Sequence, residues 1–115
     1  MIIRIKDLRL RAIIGFNEWE REKKQDISIN LTIESAAERA VETDDIADGI
    51  DYKVITKGII ASVETSEFFL LERLAGFILD QVMTDDRIDR ATVEIDKPHA
   101  LRFARSTSVE LTRER

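Results

Sequence analysis

Apolar and polar residues alternate with period two near both ends of this chain and recur at helical spacing in its middle. Ile27, Ile29, Leu31 and Ile33 fall on one parity, with Ser28, Asn30, Thr32 and Glu34 on the other. That alternation predicts a half-buried strand. The amino-terminal run is less regular: Ile3 and Ile5 share one parity, whereas Leu8, Leu10, Ala12 and Ile14 share the other. A strand can change its apolar face in this way through a β-bulge, here at Lys6-Asp7. Gly15 ends this strand, Glu18 to Lys24 forms a charged turn, and the two strands are expected to pair antiparallel.

Thr43-Asp44-Asp45 and Asp48-Gly49 punctuate a loop. Asp51 then offers an N-cap for a helix with Ile55, Ile59, Ile60 and Val63 on one face. Thr65-Ser66-Glu67 breaks it, and a second helix follows with Leu71, Leu74, Ala75, Ile78 and Val82 in register. Ala91, Val93 and Ile95 mark a third strand, and Val109 and Leu111 a fourth over about Ser106 to Thr112. The expected fold is therefore α+β, a four-stranded antiparallel sheet in the order ββααββ. Two helices can cover only one face of such a sheet. Joining several sheets edge to edge into a barrel protects the other face and removes the open edges. A homo-oligomer with active sites between subunits is expected.

The 115 residues are the size of one domain, spanning 1–115. Cysteine is absent, which removes disulfides and thiolate chemistry and suits the cytoplasm. A single histidine cannot make a three-histidine zinc site. Asp44, Asp45 and Asp48 lack a calcium-loop spacing and suit a turn and cap. No metal is expected. The net charge of -5, from 23 acids and 18 bases, disfavours nucleic acid as a partner. No run approaches the roughly 18 apolar residues of a membrane span, and the amino terminus lacks the apolar stretch of a signal peptide.

One stretch departs from the acidic background. Lys97-Pro98-His99 closes the third strand with the only proline and the only histidine, and no acid occurs from Lys97 to Val109. A basic loop on a rigid scaffold is a place to bind an anionic small molecule. Glu20, Tyr52 and Glu72 join Lys97 as residues with chemistry to offer. With Ile14-Gly15-Phe16-Asn17-Glu18-Trp19-Glu20, Asp45-Ile46-Ala47-Asp48, Asp51-Tyr52, Leu70-Leu71-Glu72-Arg73-Leu74-Ala75 and Ile95-Asp96-Lys97-Pro98, in this order and spacing, the chain resembles the dihydroneopterin aldolase family over nearly its whole length. The stretches Ile2 to Arg11 and Glu94 to Ala104 are most similar to the branch of 2'-epimerases acting on dihydroneopterin triphosphate. Aldolases of the family commonly carry a small residue such as glycine where His99 stands.

The resemblance implies a tunnelling fold (T-fold), an octamer of two stacked tetrameric rings, and pterin sites between subunits without metal or organic cofactor. It implies acid/base roles for Lys97 and for Tyr52 of a neighbouring subunit. Glu20 would bind side-chain hydroxyls or orient a water, and Glu72, with Leu71, would hold the pterin edge. The expected reaction is inversion at side-chain C2' of dihydroneopterin triphosphate, with plain aldolase cleavage as the alternative. His99, Arg102 and Arg105 are the candidates for the triphosphate, arginine because its planar fork donates two hydrogen bonds at once. A non-catalytic pterin-binding protein is the rival outside enzymology.

Overall fold

The period-two runs become the long strands of one sheet in the computed structural model, which describes residues 1–115. Strands β1 (Ile2–Ile14), β2 (Gln25–Glu34), β4 (Arg90–Pro98) and β5 (Ser106–Glu114) pair antiparallel as β1-β2-β4-β5. Helices α2 (Tyr52–Glu64) and α3 (Leu71–Val82) lie on one face, α2 over β1 and α3 over β4 and β5. No helix is long and apolar enough to cross a membrane.

The alternation predicted for β2 is realised along its length: Ile27, Ile29, Leu31 and Ile33 are buried, and Ser28, Asn30, Thr32 and Glu34 are half-buried on the other face. Across from them, Leu31 pairs with Val93 and Ile29 with Ile95, so facing rows from two strands meet the helices. From above, α3 inserts Leu74, Ala75, Ile78, Leu79 and Val82, and α2 inserts Ile59 and Val63. Each fully buried Ile, Leu or Val contributes about 1.5–3 kcal/mol relative to leaving it in water. The opposite face is tied by short polar bonds between strands, Thr92 to Thr112 at 2.8 Å and Ser106 to Asp96 at 2.7 Å.

The bulge falls at the predicted place. The β1–β2 register shifts between Ile5 and Leu8, and Asp7 adopts φ 53°. The Asp7 N–H donates to the Asn30 side chain at 2.9 Å, and the Asp7 carboxylate accepts from the Ser28 hydroxyl at 2.7 Å. An aspartate tolerates this left-handed geometry better than a branched residue would. Asp51 caps α2 as expected, accepting from the Lys53 and Val54 amides.

Three features go beyond the sequence pattern. A two-residue strand β3 (Glu67–Phe68) pairs parallel with Ile13–Ile14 of β1, making the sheet five-stranded, β3-β1-β2-β4-β5. A short helix α1 (Arg39–Thr43) and a 3₁₀ turn (Ile46–Asp48) occupy the region expected as loop. Asp44 ends α1 in the left-handed conformation, and the Asp48 carboxylate accepts from the Thr43 hydroxyl at 2.7 Å. Elements this short carry no periodicity, so neither could be read from spacing.

Candidate active site

Lys97 continues the buried parity of Ala91, Val93 and Ile95, so the strand itself turns this lysine inward under the helices. Only 9% of it is exposed. A buried ammonium requires a counter-charge. Glu20 supplies it: the Nζ of Lys97 donates to the Glu20 Oε2 in an ion pair whose two side chains are both buried. Glu20 reaches this position from the 3₁₀ turn Glu18–Arg21 that follows β1.

The rest of the Glu20 carboxylate is fully engaged. Oε1 accepts from the Asn17 backbone N–H at 3.2 Å and from the Asn17 side-chain amide at 2.9 Å. Oε2 also accepts from the Gln25 amide at 3.1 Å, and that amide donates in turn to the Ile14 carbonyl at 2.6 Å. Burial pushes the Glu20 carboxyl upward, but donation from Lys97, Gln25 and the Asn17 amide outweighs it and holds the group below its ordinary value. Glu20 is thus an anion in place, and Lys97 donates a hydrogen bond to it.

Gln25 is the site residue that spacing alone passes over. It opens β2 on the same parity as Ile27 and Ile29, a polar side chain on an otherwise apolar face, and that mismatch was its signal. Arg21 is a second. Its guanidinium donates to the Gly15 carbonyl at 2.9 Å, the Phe68 carbonyl at 3.1 Å and the Glu67 carbonyl, and lies 4.3 Å from the centre of the Phe69 ring. It therefore fastens the Glu20 turn to β3, which leads directly into α3.

That connection brings Leu71 and Glu72 to the same end of the sheet as the ion pair. The Gly15 N–H donates to the Phe68 carbonyl at 3.2 Å, and α3 begins three residues later. Leu71 is buried, whereas Glu72, one residue on, presents an exposed carboxylate. Phe16, Trp19, Phe69 and Leu70 are also exposed around this end.

Tyr52 is not with them. It begins α2, whose carboxyl end faces the site, and thirteen residues of helix set it about 20 Å away. It is 54% exposed, near exposed Val54, and lines a cleft with Asp44, Asp45 and Ile46. His99, Arg102 and Arg105 lie on the exposed loop beyond Lys97. Arg105 turns to the polar sheet face, where it lines a cavity of about 630 Å³ with Arg9, Arg11, Asp26 and Asp96. One chain thus pairs Glu20 with Lys97, brings Leu71 and Glu72 to the same end of the sheet, and leaves Tyr52 at the far end of α2. No group of three or more His, Asp or Glu side chains is arranged to hold a metal.

Known proteins resemble this chain in both sequence and fold. The family described as dihydroneopterin aldolase (FolB) matches residues 3–112. The dihydroneopterin triphosphate 2'-epimerase of Pseudomonas aeruginosa is 54% identical over 109 residues, covering 95% of this chain and 89% of its own. The protein of the same name from Escherichia coli is 47% identical over 114 residues, covering 99% and 95%. The crystal structure of E. coli dihydroneopterin aldolase in complex with neopterin superposes with a TM-score of 0.92 at 25% identity, covering 98% of each chain.

Proposed function

Because the chain belongs to the dihydroneopterin aldolase family, we propose that it is an isomerase that inverts C2' of the side chain of dihydroneopterin triphosphate. Identity separates the epimerase from the aldolase within one organism: 47% to the E. coli epimerase against 25% to the E. coli aldolase. Aldolase cleavage, releasing glycolaldehyde and the 6-hydroxymethyl dihydropterin, is the second reading. It shares the first half of the same chemistry.

The observation that carries the proposal is the buried Glu20–Lys97 pair, at the end of the sheet where α3 begins with Leu71 and Glu72. In a 7,8-dihydropterin the C6–N5 double bond can accept electrons. Removal of the C2' hydroxyl proton lets the C1'–C2' bond break. C2' becomes an aldehyde carbon, the bonding pair forms a C6–C1' double bond, and N5 takes up a proton. Running the step backwards onto the other aldehyde face restores the bond with C2' inverted. One proton is accepted and one delivered in each direction, so the pair returns to its starting state. We assign that proton traffic to Lys97, held by Glu20, with Tyr52 of a neighbouring subunit as relay. Such acid/base groups contribute about 10²–10⁴-fold. Glu72, beside Leu71, accepts the paired N–H donors of the pyrimidinone edge, which fixes the ring's orientation.

A neighbouring subunit is part of the proposal. The outer edge of β5 and most of that of β1 carry no partner strand. Edge-to-edge closure of several copies would pair both and would bring a foreign Tyr52 towards Lys97. We propose the octamer of two tetrameric rings, acting in the cytoplasm.

Incubation with dihydroneopterin triphosphate in D₂O tests the chemistry. The expected product is the C2' isomer with protium retained at C2', because that carbon never loses its hydrogen. Deuterium at C2' would replace the cleavage route by deprotonation, and a released aldehyde as the main product would favour the aldolase.

A further inference from the structure

His99 stands immediately after β4 with φ 65°, a left-handed conformation that suits glycine and strains most other residues. It is exposed and makes no hydrogen bond within the chain, so nothing in the free protein offsets that geometry. Neither neighbouring arginine makes a side-chain hydrogen bond or an ion pair within the chain. Arg9, Arg11, Arg87 and Arg90 each hold a carboxylate, whereas Arg102 and Arg105 hold none. Arg102 lies 5.7 Å from the centre of the Phe103 ring, and Phe103 is itself 96% exposed. In a chain of net charge -5, three nitrogen-rich side chains share a loop that contains no acid. Unpaired donors of this kind suit a multiply charged anion.

The loop also starts in the right place. His99 stands two positions beyond Lys97, a span of at most about 7 Å. The triphosphate of the proposed substrate is attached at C3', one bond from the carbon that detaches. An anion grip here would hold the freed aldehyde while it turns. We propose that the Pro98–Arg105 loop is a polyphosphate subsite, with His99 and Arg102 as its specificity-determining residues. Its catalytic consequence, retention of the aldehyde, rests on the epimerase reading; its ligand chemistry does not.

Inorganic tripolyphosphate is the probe, titrated calorimetrically into the full-length chain and into H99G and R102Q. The unsubstituted chain is expected to bind it, and each variant to bind about ten-fold more weakly. H99G is also expected to melt at a higher temperature, because glycine accepts φ 65° without strain. Stability and affinity would then move in opposite directions, which excludes a general loss of structure. Failure to bind tripolyphosphate, or equal affinity in all three proteins, would overturn the subsite. The ratio of KM for dihydroneopterin triphosphate to KM for dihydroneopterin, measured within each protein, is expected to rise in both variants. Tripolyphosphate binding that responds to both substitutions, in a chain that turns over neither pterin, would sustain the subsite and end the epimerase reading. Turnover with an unaltered KM ratio would do the reverse.

Discussion

The Glu20 carboxylate lies against the bare α-carbon of Gly15, in the space that any side chain at position 15 would fill. Gly15 also has φ 121°, a conformation that residues with a Cβ rarely adopt. G15A therefore has to displace the carboxylate, the backbone, or both. The expected result is a loss of about 1–3 kcal/mol in stability, as for other overpacked sites. Activity should fall further than stability explains, because the displaced group is the counter-charge of Lys97. Denaturant unfolding together with kcat on folded G15A would check both.

The ion pair predicts a specific dependence on pH. The Glu20 carboxyl is held below its ordinary value by Lys97, Gln25 and Asn17 against the opposing effect of burial. A depressed carboxyl adds stability above its unfolded value, about 4.3, and that stability disappears as pH falls through the folded value. E20Q removes this contribution and leaves the Lys97 ammonium buried without a counter-charge. Near neutrality E20Q is expected to be less stable by about 3–5 kcal/mol. The gap to the unsubstituted protein should narrow steadily in acid below about pH 4. A gap that stays constant across that range would show that Glu20 does not titrate between the two states.

Arg21 predicts a local rather than global loosening. It satisfies three carbonyls from two segments, Gly15 and Glu67–Phe68. Lysine has neither the fork nor the reach to replace all three contacts. R21M is expected to cost about 2–3 kcal/mol, from hydrogen bonds made by a charged donor. Amide exchange should accelerate at Gly15, whose N–H is bonded to Phe68, while amides between β2 and β4 keep their protection. Uniform acceleration throughout the sheet would contradict a local clamp.

Much of this was legible in the residues themselves. The bulge at Lys6-Asp7 followed from a parity change, and the cap at Asp51 from its position before an apolar face. Lys97 was singled out as a strand-end base, but that its parity with Ile95 carries it inward went unread. The Glu20–Lys97 contact did not follow from any spacing, because it joins a 3₁₀ turn to a strand end 77 residues away. The strand β3 was invisible for a related reason: its two residues pair through backbone groups that every sequence carries. Gln25 was visible but unread, as a polar residue on an apolar face. The separation of Tyr52 from Lys97 depended on the direction in which α2 runs, which tertiary packing decides.

That separation yields the sharpest test of how the site is assembled. Tyr52 begins α2 about 20 Å from the helix end nearest Lys97, so one chain cannot bring the two side chains together. If they act in one site, they come from different copies joined head to tail around a ring. K97A is expected to lower kcat by about 10²–10⁴-fold while still binding pterin, and Y52F to be impaired on its own. Each defective homo-oligomer lacks one group in every site. Dissociating both and reassembling them together would place some Lys97 of the Y52F chain beside Tyr52 of the K97A chain. Activity should rise in the mixture and stay at the impaired level when either variant is reassembled alone. If instead Tyr52 served the site of its own chain, no mixed site could hold both groups, and mixing would recover nothing.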